Sequence, residues 1–83
     1  MNPTTILIVD DDAESRGSVA IQLQEQAFRT IEAATSESAL RMFRAYRPDL
    51  VLLEVNLPGM DGFTVVRRIR EQSDVPIIFL TSR

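Results

Sequence analysis

The chain has 83 residues, of which 45% are apolar and 25% charged, and this composition is typical of one small globular domain. It contains no cysteine and no histidine, so these residues supply no disulfide, no thiolate metal site and no histidine base. All nine basic residues are arginine, and the formal net charge of -3 disfavours nonspecific nucleic-acid binding. The chemistry of the chain therefore rests on carboxylates, hydroxyls and arginines.

Size and hydropathy set two further expectations. A chain of this length buries only roughly 60% of its unfolded surface, so we expect a single domain over residues 1–83, for which a full three-layer α/β sandwich would be marginal. No apolar run reaches the ~20 residues of a membrane span. Residues 1–5 lack the charged and apolar regions of a signal peptide. We therefore expect a cytoplasmic protein that does not interact with membranes.

Strand and helix patterns alternate along the chain. The apolar run at 6–9 predicts a strand buried on both faces, and the 3.6-residue pattern at 13–27 predicts an amphipathic helix. A short second strand follows at 28–34. The next helix is predicted to begin after an N-cap at Thr35 or Ser36 and to run through Tyr46.

The second half of the chain repeats this alternation. A buried strand is predicted at 50–53, then a turn at 57–62 in which Asp61 can cap a helix with Phe63, Val66 and Ile69 facing inward. A last buried strand is predicted at 75–81. The order β-α-β-α-β-α-β with short connections favours an α/β fold with a parallel sheet.

Acidic and hydroxyl residues follow the predicted strands where each one ends. They are Asp10, Asp11, Glu54 and Thr81. Because parallel strands end at one edge of the sheet, these side chains would converge if the first and third strands are neighbours. An all-oxygen cluster without histidine or cysteine suits Mg²⁺. For Asp12 and Asp61, a role as acids at helix N-termini is an equally good interpretation.

The motifs along the chain resemble the receiver (CheY-like) domain of bacterial two-component response regulators. They are 6–12, Arg16, 32–34, 47–53, 57–62 and 76–81, in the family's order and spacing. The resemblance implies a flavodoxin-like, doubly wound parallel sheet with strand order 2-1-3-4 over these residues. It also implies a role in phosphorelay signalling through protein contacts, with a sensor histidine kinase or a phosphotransfer protein as partner.

The resemblance also assigns site residues. Asp10 and Asp11 match the acid pair that holds Mg²⁺, and Asn56 matches the position whose backbone carbonyl completes that site. Thr81 matches the switch hydroxyl that moves onto the phosphoryl group, and Ser82 matches the small residue after it. An aspartate at the end of the third strand would accept the phosphoryl group by in-line attack.

Glu54 stands at this phosphoacceptor position, where the family has aspartate. Its extra methylene pushes the carboxylate further into the site, and in-line transfer tolerates little misplacement of the nucleophile. We therefore expect impaired phosphotransfer. The carboxylate of Glu54, within reach of the metal or of Thr81, could instead act as a partial phosphomimetic.

The resemblance ends with the fourth strand, since the 83 residues do not include the family's fifth strand, with its lysine, or its last two helices. Residues 77–80 would then form a sheet edge, and an apolar edge invites pairing with another chain. We therefore expect a homodimer through the fourth strand or through bare sheet faces.

Two other function classes remain open. A Mg²⁺-dependent phosphohydrolase would use an aspartate nucleophile with a second acid two residues later, as in Asp10 and Asp12, although the match along the whole chain disfavours it. Direct nucleic-acid binding would use the arginines of two predicted helices. These are Arg41, Arg44, Arg47, Arg67, Arg68 and Arg70. We interpret them as solvated faces, with no direct nucleic-acid role.

Overall fold

The computed structural model describes residues 2–57 and 61–80. Strands and helices alternate in the predicted order, which confirms the α/β class. The elements are β1 (Thr5–Val9), α1 (Ala13–Glu25), β2 (Arg29–Ala33), α2 (Ser36–Tyr46), β3 (Leu50–Glu54), α3 (Gly62–Arg70) and β4 (Ile77–Leu80).

The four strands form one sheet in the order β2-β1-β3-β4, and every neighbouring pair is parallel. The strand order that the resemblance implied is thereby confirmed. Val9 pairs with Ala33 on one side and with Leu53 on the other, so β1 and β2 end level with each other and β3 ends one residue later. Their carboxyl ends therefore form one edge of the sheet.

Helices cover both faces of the sheet, so the domain has three layers despite its length. Helices α2 and α3 pack on one face, where Phe43, Val65 and Ile69 meet the side chains of alternate strand residues. Helix α1 lies on the other face, where Ala20 packs with Ile6, Ile8 and Leu52 in a smaller core. Because a single helix covers the second face, the chain forms three layers with only three helices in the described residues.

The structure differs from the predicted pattern in α3. We predicted that Phe63, Val66 and Ile69 face inward, but Phe63 is 58% exposed and Val65 is fully buried. The buried stripe is Gly62, Val65 and Ile69, which places Phe63 at its side. There its ring contacts the ring of Phe79 on β4, with 5.2 Å between centroids.

Three elements were also predicted too wide. Strand β2 spans Arg29–Ala33 rather than 28–34. Helix α1 stops at Glu25, because Ala27 adopts a positive φ of 69° and reverses the chain. Strand β4 begins at Ile77, after Pro76, whose carbonyl accepts a hydrogen bond from Val51 N–H. None of the helices in the described residues is both long and apolar enough to span a membrane.

Candidate functional site

Asp10 lies immediately beyond β1 and is only 2% exposed. Its backbone N–H donates to the carbonyl of Ala33 at 3.1 Å, which continues the pairing of β1 with β2. Its Oδ1 accepts a hydrogen bond from the backbone N–H of Asp12 at 3.0 Å. The carboxylate is therefore buried and oriented by the start of the loop that leads to α1.

The two acids after Asp10 have different positions. Asp11 is exposed. Asp12 is the N-cap of α1, and its side chain accepts from the backbone N–H groups of Glu14 and Ser15. Asp61 caps α3 in the same way, accepting from Thr64 N–H at 2.9 Å. Asp12 and Asp61 are thus helix caps, as one of the two interpretations of these residues predicted.

Glu54 is the last residue of β3 and, like Asp10, is 2% exposed. Val9 on β1 pairs with Leu53 on β3. Asp10 follows Val9 and Glu54 follows Leu53, so both acids come directly after the same pair of residues in the sheet. Among the described residues, Oε2 of Glu54 is buried and has no hydrogen-bond partner. A buried carboxylate oxygen of this kind is costly unless a donor, a proton or a cation satisfies it.

Arg16 ties the end of β1 to β2. Its Nη1 donates to the backbone carbonyl of Asp10 at 2.8 Å, and its Nε donates to Oε1 of Glu32 at 3.0 Å. The second contact is an ion pair in which the arginine side chain is 17% exposed and the glutamate side chain 40% exposed. One guanidinium therefore holds the main chain of the acidic loop against the neighbouring strand.

The start of α3 packs against the segment that leaves β3. Gly62 N–H donates to the carbonyl of Val55 at 2.9 Å. A methyl group at Gly62 would lie 3.0 Å from the carbonyl oxygen of Glu54. This contact was missed at the level of sequence, where Gly62 was interpreted only as a turn residue.

The predicted magnesium donors lie on one side of the molecule, but the structure does not gather them into a ready-made cluster. Within residues 2–57 and 61–80, no three acidic side chains form a group able to hold a metal ion. Mg²⁺ is usually bound through one or two carboxylates and keeps several waters. The oxygen donors of Asp10 and Asp11 and the unpartnered oxygen of Glu54 suit such an ion in their chemistry. Asn56, two residues beyond Glu54, is exposed.

The predicted switch residues Thr81 and Ser82 lie outside the described residues, as does the centre of the turn at 58–60. The arginines considered for nucleic-acid binding are exposed on α2 and α3 and at the end of α2. They are Arg41, Arg44, Arg47, Arg67, Arg68 and Arg70.

Comparison with known proteins decides the family. The protein-family model of the response regulator receiver domain matches residues 6–83. The chain belongs to this family. It is 48% identical over 81 residues to the transcriptional regulatory protein AfsQ1 of Streptomyces coelicolor, covering 98% of this chain and 36% of AfsQ1. It is 45% identical over 78 residues to the DNA-binding response regulator MtrA of Mycobacterium leprae, covering 94% of this chain and 35% of MtrA.

Solved receiver structures share the fold. The chemotaxis response regulator CheY4 of Vibrio cholerae superposes with a TM-score of 0.93 at 33% identity, covering 99% of this chain and 71% of that one. The BeF3-activated N-terminal receiver domain of Klebsiella pneumoniae RstA gives a TM-score of 0.91 at 35% identity, covering 96% and 68%. The chain spans about a third of the length of the curated relatives it matches. Receiver domains generally bind Mg²⁺ at their acidic pocket.

Proposed function

We propose that this chain is the receiver module of a phosphorelay in which glutamate occupies the phosphoacceptor position. One observation carries the proposal: Glu54 is buried at the carboxyl edge, at the end of the strand that pairs with β1, and one of its oxygens has no partner among the described residues. The relatives whose names identify them as response regulators support the signalling role. In this proposal residues 1–83 are one partial receiver domain, from β1 to β4.

Magnesium is the proposed cofactor. Asp10 and Asp11 would hold it, together with the backbone carbonyl of Asn56 and with Glu54. When bound, the ion neutralises negative charge on the phosphoryl oxygens. Two contacts of Asp10 support this assignment: the backbone N–H of Asp12 donates to its Oδ1, and Arg16 donates to its backbone carbonyl.

Glu54 determines how well the module accepts a phosphoryl group. With aspartate at this position, a carboxylate oxygen would attack phosphorus and an acyl phosphate would form. The bond that breaks would be the phosphorus–nitrogen bond of a phosphohistidine donor, which leaves as the imidazole, or the phosphorus–oxygen bond of acetyl phosphate, which leaves as acetate. Glutamate places the attacking oxygen one methylene further out, and an error of about 1 Å can cost 10²-fold in rate. The fixed charge of Glu54 would act instead as a partial phosphomimetic, sensed by Thr81 and Ser82.

The test compares the chain with its Glu54→Asp variant. Each is incubated with acetyl phosphate and Mg²⁺, and the phosphorylated fraction is followed by intact-mass spectrometry. We expect Glu54→Asp to label and the unaltered chain to label at least about tenfold more slowly. Glu54→Gln, which should not label, is the control for modification elsewhere. Equally fast labelling of the unaltered chain would contradict a blocked acceptor.

The partners follow from this role. We propose a sensor histidine kinase or a phosphotransfer protein as the upstream partner, in the cytoplasm, with no direct contact to nucleic acid or membrane. A second copy of the chain is the proposed partner for β4, since β4 is an edge strand of the described sheet and Ile78 is 52% exposed. Light scattering at high protein concentration should then show a dimer, and a monomer alone would refute this pairing.

The alternative of a Mg²⁺-dependent phosphohydrolase is disfavoured by Asp12. Both backbone contacts of its carboxylate belong to the N-terminus of α1, so it serves as a helix cap. We propose that the module is not an enzyme. The check is turnover of a generic phosphate ester with Mg²⁺, which should be absent; sustained turnover that is lost in Asp10→Asn would favour the hydrolase.

A further inference from the structure

Gly62, the first residue of α3, packs directly against the main chain at the end of β3. It is buried, and its N–H donates to Val55 at 2.9 Å. A methyl group there would lie 3.0 Å from the carbonyl oxygens of Glu54 and Val55, and 3.1 Å from the Cα of Val55. Carbon–oxygen contacts are ordinary at about 3.3–3.6 Å and carbon–carbon contacts at about 3.5–4.0 Å, so the neighbours would have to move by a few tenths of an ångström. All three neighbours are main-chain atoms, which cannot turn aside as a side chain can.

Space, rather than backbone conformation, is what requires glycine at this position. The φ angle of Gly62 lies outside the left-handed region, so an L-residue could adopt the same backbone. Any side chain would still have to push α3 away from β3 or displace the main chain of Glu54 and Val55. The side chain of Glu54 is attached to that main chain and is 2% exposed, so its surroundings allow little compensating movement.

We propose that Gly62 is a positioning residue for the phosphoryl site. The absence of a side chain at Gly62 sets how closely α3 approaches the end of β3, and thereby sets where the carboxylate of residue 54 and the carbonyl of Asn56 lie. The inference rests on the proposed function of that site. It adds a residue that touches neither metal nor phosphoryl group and acts through the backbone of Glu54 and Val55.

The chain offers a matched control in Gly17, which also lies in a helix. A methyl group added at Gly17 meets no atom within 4 Å. Gly17→Ala and Gly62→Ala therefore add the same methyl group. In Gly17→Ala it enters open space, and in Gly62→Ala it meets the main chain of Glu54 and Val55.

The experiment uses the full chain carrying Glu54→Asp, with either Gly62→Ala or Gly17→Ala added. Labelling by acetyl phosphate with Mg²⁺ is measured at a temperature at which urea unfolding shows both variants to be folded. We expect the Gly17→Ala form to label within about twofold of Glu54→Asp alone and the Gly62→Ala form to label at least about tenfold more slowly. Equal labelling of the two folded forms would overturn the inference.

A second readout separates this inference from the proposed function. In the unaltered chain, Gly62→Ala should shift the amide NMR signals of Val55 and Asn56, whereas Gly17→Ala should not. If Glu54→Asp is not labelled, the proposed function is wrong. The amide signals still test the inference about Gly62, because unchanged signals of Val55 and Asn56 in Gly62→Ala would overturn it. If Gly62→Ala does not fold alone, it is combined with Gly17→Ala and Ala27→Gly, and the same results are expected.

Discussion

Arg16 donates a 2.8 Å hydrogen bond to the backbone carbonyl of Asp10, and so holds the acidic loop from the side of α1. The same guanidinium pairs with Glu32 at the end of β2. Three segments of the fold therefore meet at one side chain, which holds the main chain of Asp10.

We predict that Arg16→Ala lowers the free energy of unfolding by about 1.5–3 kcal/mol, the range for a hydrogen bond to a charged group. Arg16→Lys should recover only part of this loss, because an ammonium group cannot reproduce the planar fork that reaches both oxygens. Urea unfolding measures the effect. Arg44→Ala, at an exposed position on α2, is the control and should change little. A loss in Arg16→Ala no larger than in Arg44→Ala would contradict the bridging role.

Much of the fold was predictable, because β1 and β3 are short apolar runs buried on both faces, where a continuous run is itself the signal. The placement of Asp10 and Glu54 at one edge of the sheet followed from the parallel order of those strands, whereas the predicted gathering of three carboxylates is not found among the described residues. The inward face of α3 was predicted correctly at Ile69 and Val66 but not at Phe63, which is apolar yet pairs with Phe79 at the side of the core. The contact between Gly62 and the Glu54 carbonyl joins two segments that no local pattern relates.

The end of α1 gives a stability prediction. Phe28 N–H bonds to the carbonyl of Leu23 and Ala27 N–H to that of Gln24, which is the Schellman arrangement, with Ala27 at φ 69° where glycine is favoured. Ala27→Gly should raise the free energy of unfolding by roughly 0.5–1 kcal/mol, because the left-handed conformation costs glycine nothing.

Ala45→Gly is the matched control for this change, at an exposed position within α2. Glycine there should lower the free energy of unfolding by roughly 0.5–1 kcal/mol. The two substitutions are therefore expected to shift the urea midpoint in opposite directions. A shift in the same direction would show that the conformation of Ala27 carries no strain.

Gly17 gives a prediction of the same kind within α1. Glycine in the middle of a helix costs about 1 kcal/mol relative to alanine, and a methyl group at this position has open space. Gly17→Ala should therefore raise the thermal unfolding midpoint. A lower midpoint would mean that α1 is held against a neighbour that the described residues do not show.

Asp61 gives a dependence of stability on pH. The backbone hydrogen bond from Thr64 holds the pKa of Asp61 below its usual value, with a further lowering by the Thr64 hydroxyl. A lowered pKa in the folded state means that the carboxylate adds stability above the unfolded pKa of about 3.9. That contribution is lost as the pH falls through the folded pKa.

Asp61→Asn, which can still cap α3, should therefore lose less stability than the unaltered chain between pH 7 and pH 3. Urea midpoints at the two pH values give the comparison. Asp74→Asn removes one exposed acid elsewhere and controls for the change in net charge. Equal acid losses in Asp61→Asn and the unaltered chain would contradict the assignment of Asp61 as an ionised cap.

The central claim is that residue 54, at the end of β3 beside Asp10, is the phosphoacceptor position of a receiver site. The most direct test treats Glu54→Asp with acetyl phosphate and Mg²⁺, traps the acyl phosphate by reduction with borohydride, and locates the modified residue by peptide mass spectrometry. The account predicts modification at residue 54, and its loss when Asp10→Asn is added. Modification at another acid, or none at residue 54 in a folded protein, would contradict it.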